Sequence, residues 1–128
     1  MEDENNNKSS DSEILQNIIV NMAVESWRFG RVFIRMATKL DAGDQNRFRG
    51  QYQWFAKKIE ESLEGVGLKL VNIEGQQFDP GMAATPLNID DFSADDLLVV
   101  DQMLEPIIMG SDGVVKTGTV TLRRIQSE

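Results

Sequence analysis

The apolar periodicity of this chain changes at Gly65-Val66-Gly67, and that change limits the possible folds more than any other feature. Before it, apolar residues recur at spacings of three, four and seven. After it, short β-prone runs are punctuated by Gly75, Pro80, Gly81, Pro86, Pro106, Gly110 and Gly113. The first pattern gathers apolar groups on one face of a helix and the second on one face of a strand. A chain that reads helices first and strands second is α+β.

In the helical part, Leu15, Met22, Phe29 and Met36 recur every seven residues, and Ile19, Ser26, Phe33 and Leu40 form a second row four residues on. This is the a/d arrangement of a helix seam. Ser10 and Glu13 have the spacing of a capping box, which predicts a helix from about Ser10 toward Leu40. At near 1.5 Å per residue, about 29 residues make a rod of roughly 43 Å, longer than one small core covers. Part of the seam, carried by Leu15, Ile19, Met22, Phe29, Phe33 and Met36, is therefore expected to meet a second copy. Gly30 costs about 1 kcal/mol relative to Ala in mid-helix, which predicts close packing or a bend there.

Asp41-Ala42-Gly43-Asp44 reads as a turn with Asp41 or Asp44 as the next N-cap. Phe48, Tyr52, Phe55, Ile59 and Leu63 then mark a second amphipathic helix ending near Glu64. So short a connection makes an antiparallel hairpin, and its homodimer would be a four-helix bundle. Strands are expected over Leu68–Ile73, Leu97–Leu104 and Gly113–Ile125, the last with Val114, Lys116, Gly118, Val120 and Leu122 on alternate positions. The resulting organisation is a disordered arm over 1–9, a helical hairpin and dimerisation region over 10–66, and a small all-β head over 67–125.

Charge and composition narrow the chemistry. Thirteen basic residues against 21 acidic ones leave a net charge of −8, which repels phosphate backbones and anionic lipid, so neither nucleic acid nor a membrane is expected as partner. No apolar stretch approaches the length of a membrane span, and the first dozen residues lack the positive and apolar regions of a signal peptide, which predicts a cytoplasmic protein. The chain has no Cys and no His, which removes thiolate nucleophiles, imidazole acid/base pairs and nearly all zinc geometries. No base is left to activate a serine, so the chain is not expected to be an enzyme, and no cofactor is implied.

Other candidates have bland readings beside the functional ones. Asp90-Asp91 and Asp95-Asp96 match no Ca²⁺ loop and read as loop charges or a cap, so no metal site is expected. Gly110-Ser111-Asp112-Gly113 lacks the lysine and helix start of a phosphate-binding loop and reads as a hairpin turn. Trp27 and Trp54 lie off the seams and suit either partner contacts or packing. Arg28, Arg31, Arg35 and Lys39 make a basic stripe on the first helix, suited to an acidic partner or to solvent.

The junction Gly67-Leu68, the corner Gly75-Gln76-Gln77-Phe78-Asp79-Pro80 and the closing run Lys116-Thr117-Gly118-Thr119-Val120-Thr121-Leu122 follow one another in an order that resembles the GrpE-type nucleotide exchange factors. The resemblance covers roughly residues 14–124 and is carried mainly by the last half. It departs from the family pattern at Gly81 and Ala83, where an asparagine and a histidine are usual. It also departs at Pro86, at Ile107-Ile108 in place of Gly-Tyr, at Gly113, and in a nearly absent stalk helix. The resemblance implies a co-chaperone that binds the open form of a DnaK-type ATPase domain and so promotes ADP release. It implies Gly67, Phe78, Asp79 and Pro80 as head-shaping residues and Met82, Ala83, Ile107, Ile108 and Lys116 as partner-facing ones. The departures favour an alternative, a GrpE-derived adaptor or scaffold that binds a dedicated protein without exchange activity.

Overall fold

The computed structural model describes the backbone of residues 2–125 and the side chains of residues 10–125. Two helices come first, α1 over Glu2–Ala37 and α2 over Ala42–Glu64. Six strands follow: β1 over Lys69–Val71, β2 over Ala84–Pro86, β3 over Leu98–Glu105, β4 over Ile107–Gly110, β5 over Gly113–Lys116 and β6 over Gly118–Arg124. The chain divides into two units between Ile59 and Glu60, so the last turn of α2 counts with the strands. Among the described residues no helix is long and apolar enough to cross a membrane.

α1 is already helical at Ser10, so Ser10 and Glu13 do not open it as a capping box. Residues 2–9 contain neither Gly nor Pro, and nothing local stops the helix there. The arm expected over 1–9 concerns side chains that lie outside the described residues. At its other end α1 tightens, with the N–H groups of Lys39 and Leu40 donating to the carbonyls of Met36 and Ala37, both at 3.1 Å. α2 then begins at Ala42, ahead of Asp44, because Asp41 is the cap. Its Oδ1 accepts the Asp44 N–H at 2.9 Å while its carbonyl accepts the Gln45 N–H at 2.8 Å.

The helices approach through a residue with no side chain. A Cβ placed on Gly30 would lie 2.8 Å from Cε2 of Tyr52, so the tyrosine ring occupies the space a larger residue would need. Three residues further along α1, Phe33 meets Phe48 edge to face with ring centroids 5.9 Å apart. Advancing from Gly30 to Phe33 thus retreats from Tyr52 to Phe48, which is the signature of an antiparallel pair. Phe55, expected on the inner face, lies at its margin and is exposed, while Ala56 is half-buried.

The second unit holds two three-stranded sheets. In the first, β4 lies between β1 and β5 and is antiparallel to both. In the second, β6 lies between β2, which runs parallel to it, and β3, which runs antiparallel. β2 and β4 were not expected as strands, and the expected run Gly113–Ile125 divides at Thr117 into β5 and β6, one in each sheet. After the passage from β1 to β2, the chain changes sheets twice more, at Pro106 between β3 and β4 and at Thr117 between β5 and β6. Gly118 makes the last passage possible. A Cβ there would come within 2.9 Å of Ile107 Cγ1, 3.0 Å of Met103 Cε and 3.1 Å of the Glu105 carbonyl. Met103, Ile108, Val100, Val120 and Pro106 are the largest fully buried side chains.

Candidate functional site

The head begins at a helix end whose geometry dictates its sequence. The N–H of Leu68 donates to the Leu63 carbonyl at 2.9 Å and that of Gly67 to the Glu64 carbonyl at 3.1 Å, the two bonds of a Schellman motif. Gly67 sits at φ +78°, where a Cβ would be strained, and Leu63 and Leu68, the apolar pair such a motif brings together, are both buried. The expected junction at Gly67 is therefore a stop signal that also turns the chain into β1.

Beyond β1 the segment from Gly75 to Phe78 runs along the open side of β3. The N–H of Gly75 donates to the Val100 carbonyl at 2.8 Å, that of Val100 to the Gln76 carbonyl at 2.9 Å, and that of Phe78 to the Leu98 carbonyl at 2.8 Å. The Glu74 carboxylate accepts the Met103 N–H at 2.9 Å, beside the irregularities where β3 departs from regular pairing with β6. Asp79 closes the corner. Its Oδ1 accepts the Gly81 N–H at 3.0 Å and its carbonyl accepts the Met82 N–H at 2.9 Å, with Pro80 between them. Phe78 is half-buried, while Asp79 and Pro80 are exposed.

The corner delivers Met82 and Ala83 to the passage between the sheets, where the Gly118 N–H donates to the Ala83 carbonyl at 2.9 Å and Ala84 pairs with Gly118. Lys116 ends β5 two residues before Gly118, with its Nζ 3.2 Å from the Thr117 carbonyl. Met82, Ala83 and Lys116 are thus brought to one region and all are partly accessible. Ile107 and Ile108 are not. They are 4 % and 0 % exposed, because β4 is the central strand of its sheet and Ile107 lies under Gly118. Their expected role as partner-facing residues is withdrawn, since neither has surface to offer; they are core.

The other candidates sort by what surrounds them. Asp96 is a loop cap: its Oδ2 accepts the Ser93 N–H at 2.9 Å and the Arg124 Nε–H at 3.0 Å. The Ser93 backbone bond first and Arg124 second hold this carboxyl below the ordinary aspartate value of 3.8. Among the described residues no three acidic side chains gather as a metal site requires. The Arg31 guanidinium stacks 4.6 Å from the half-buried Trp27 ring, whereas Trp54 stands 63 % exposed with the Lys58 ammonium 5.7 Å from its ring. Gly110 and Gly113 frame a two-residue hairpin turn at Ser111-Asp112, with Gly113 at φ +130°.

On the helical unit the expected seam is mostly open. Leu15, Met22, Phe29 and Met36 are 59–69 % exposed, while Ile19 and Phe33 are half-buried, Phe33 against Phe48. Beside Phe29 lies an apolar groove of about 200 Å³, lined by Phe29, Gly30, Phe33, Gln51, Tyr52 and Phe55. The residues that sequence reasoning passed over are Glu74 and Asn88, whose side chains complete the β pairing from a distance of about thirty residues. Nothing local in the chain signals either. No family model matches this chain, and it matches no curated protein and no solved structure.

Proposed function

We propose that this chain is a GrpE-like co-chaperone, self-associating through its helical unit, that promotes ADP release from the ATPase domain of a DnaK-type chaperone. The observation that carries this reading is the head itself. A Schellman-capped helix end at Gly67-Leu68 leads into a corner at Phe78-Asp79-Pro80, and the chain then runs through Met82 and Ala83 to the Gly118 N–H, two residues after Lys116, in the same order as the motifs of the GrpE resemblance. Exchange needs no bond to be made or broken. A head that binds the open nucleotide cleft more tightly than the closed one lowers the cost of opening by the difference in affinity. Met82, Ala83 and Lys116 are the contacts in this reading, and Ile107 and Ile108 are core.

The burial of Ile107 and Ile108 favours a second reading, because two of the positions expected to face the chaperone are removed from the surface. In that reading the same region binds a dedicated protein partner without exchange. One measurement separates the two: release of a fluorescent ADP analogue from each DnaK-type chaperone of the host, with and without stoichiometric protein. Acceleration that falls in a Met82→Glu variant supports exchange. An unchanged rate with every chaperone ends the exchange reading.

A further inference from the structure

We infer that Asp112 is a site of spontaneous covalent modification: in the folded protein its carboxyl closes on the backbone nitrogen of Gly113 and reopens as isoaspartate, and this loosens β5. The reaction needs neither chaperone nor nucleotide and goes beyond the reading above.

The chemistry is intramolecular. The Gly113 nitrogen attacks Cγ of Asp112, a C–N bond forms, and a carboxyl oxygen leaves as water, taking the amide proton. Water then opens the resulting five-membered imide at one of its two carbonyls. Opening at the side-chain carbonyl restores aspartate. Opening at the main-chain carbonyl leaves the chain running through Cγ, longer by one methylene, with a free carboxylate beside it. The water lost is the water regained, so no oxidant, cofactor or second substrate is consumed.

Three observations place this reaction at Asp112. It is the one Asp or Asn of the sequence that precedes a glycine, where no side chain crowds the attacking nitrogen. The space is open too, since nothing lies within 4 Å of a Cβ position at Gly113. Second, Ser111 and Asp112 are exposed, and among the described residues no hydrogen bond or ion pair holds the Asp112 carboxylate. Asp96 is held by Ser93 and Arg124, Asp101 by Arg123 and Asp44 by Arg47, while Asp79 precedes a proline, whose nitrogen has no proton to give.

Third, the turn is a poor match to its strands. Two-residue hairpin loops favour turns with positive φ at one or both central residues, because that hand follows the strand twist. Neither Ser111 nor Asp112 has positive φ; the mismatch passes to Gly113 at φ +130° and to a register shift between Ile108 and Met109. β5 is an edge strand of four residues paired with β4 alone, so no further strand clamps the turn. Such an end opens locally at low cost, and opening supplies the backbone freedom that ring closure requires.

The added methylene falls between Gly110 and Gly113, which pair across the turn. It displaces the pairs beyond, Val114 with Met109 and Lys116 with Ile108. β6 is held separately by β2 and β3, so the change stays in β5.

The test incubates the full chain at mildly acidic pH, folded and in parallel unfolded in guanidinium chloride, beside an Asp112→Glu variant whose longer side chain closes the imide poorly. A protease that cuts before aspartate and not before isoaspartate, read by mass spectrometry, follows Asp112. Methyl transfer from S-adenosylmethionine by an isoaspartyl methyltransferase counts isoaspartate independently. The expected result is progressive loss of cleavage at Asp112 in the folded wild type, at a rate comparable to that of the unfolded chain, with methyl acceptance lost in Asp112→Glu. Loss of cleavage confined to the unfolded chain overturns the proposal. Equal methyl acceptance by wild type and Asp112→Glu overturns it as well. Hydrogen exchange of the isomerised protein should show amide protection lost at Val114, Val115 and Lys116 and kept in β3 and β6; protection kept in β5 overturns the loosening.

Discussion

Asn88 holds Leu122 by two hydrogen bonds, its Oδ1 accepting the Leu122 N–H and its Nδ2 donating to the Leu122 carbonyl, each at 2.9 Å. The side chain stands in for a strand. β2 ends at Pro86, and the Asn88 amide supplies the next pair of ladder bonds to β6. Replacing it by alanine leaves two backbone groups of a buried residue without partners. The expected cost of Asn88→Ala is about 1–3 kcal/mol, read as a lower urea midpoint at unchanged slope. Asn88→Asp should cost at least as much, because a carboxylate oxygen would face the Leu122 carbonyl.

Gly118→Ala should destabilise the head by about 1–3 kcal/mol, since its Cβ would meet Ile107, Met103 and the Glu105 backbone together. Gly50→Ala makes the control. Gly50 lies within α2 with nothing within 4 Å of its Cβ position, so the substitution should stabilise by up to about 1 kcal/mol. Thermal melts of both variants check the pair, and a neutral Gly118→Ala would remove the close-approach argument.

Phe29 and Phe33 lie four residues apart and should respond differently to the same change. Phe33→Asp puts a charge against Phe48 and is expected to cost roughly 2–4 kcal/mol with loss of helical signal. Phe29→Asp, at a position 69 % exposed, should keep the wild-type melt at low protein concentration and lose only self-association. A Phe29→Asp protein that unfolds would show that Phe29 is part of the hairpin's own core.

The lowered Asp96 carboxyl gives a pH dependence with a definite sign. Its folded pKa lies below its ordinary value of 3.8, so its stabilising contribution is complete above that value and disappears as pH falls through the folded pKa. Asp96→Asn should be less stable than wild type at neutral pH, and the gap should narrow as pH falls below the ordinary value and through the folded pKa. Urea titrations of both proteins at pH 7 and pH 3 measure it. A gap that stays constant would mean that the Arg124 contact contributes through geometry and not through charge.

The parts of this fold that local chemistry controls were legible in the chain. Asp41 caps α2, and three–four spacing predicts both helices. Gly67 marks a stop that needs φ above zero, and the Asp79 turn follows from a short polar side chain ahead of Pro80. Each depends on residues within one or two turns of one another.

What only the tertiary structure decided are the questions of what covers what. α1 has two apolar faces, and periodicity states that both exist without stating which one faces α2; the small residue Gly30 and the ring of Tyr52 settled that. The GrpE resemblance implies Ile107 and Ile108 as partner-facing residues. They are buried because Pro106 carries the chain from one sheet into the centre of the other. Asn88 and Gly118 have no local signal at all, since their roles are set by Leu122 and Ile107, neighbours brought close only when the sheets close. A sequence records the preferences of each segment, and burial is a relation between segments that exists only once they pack.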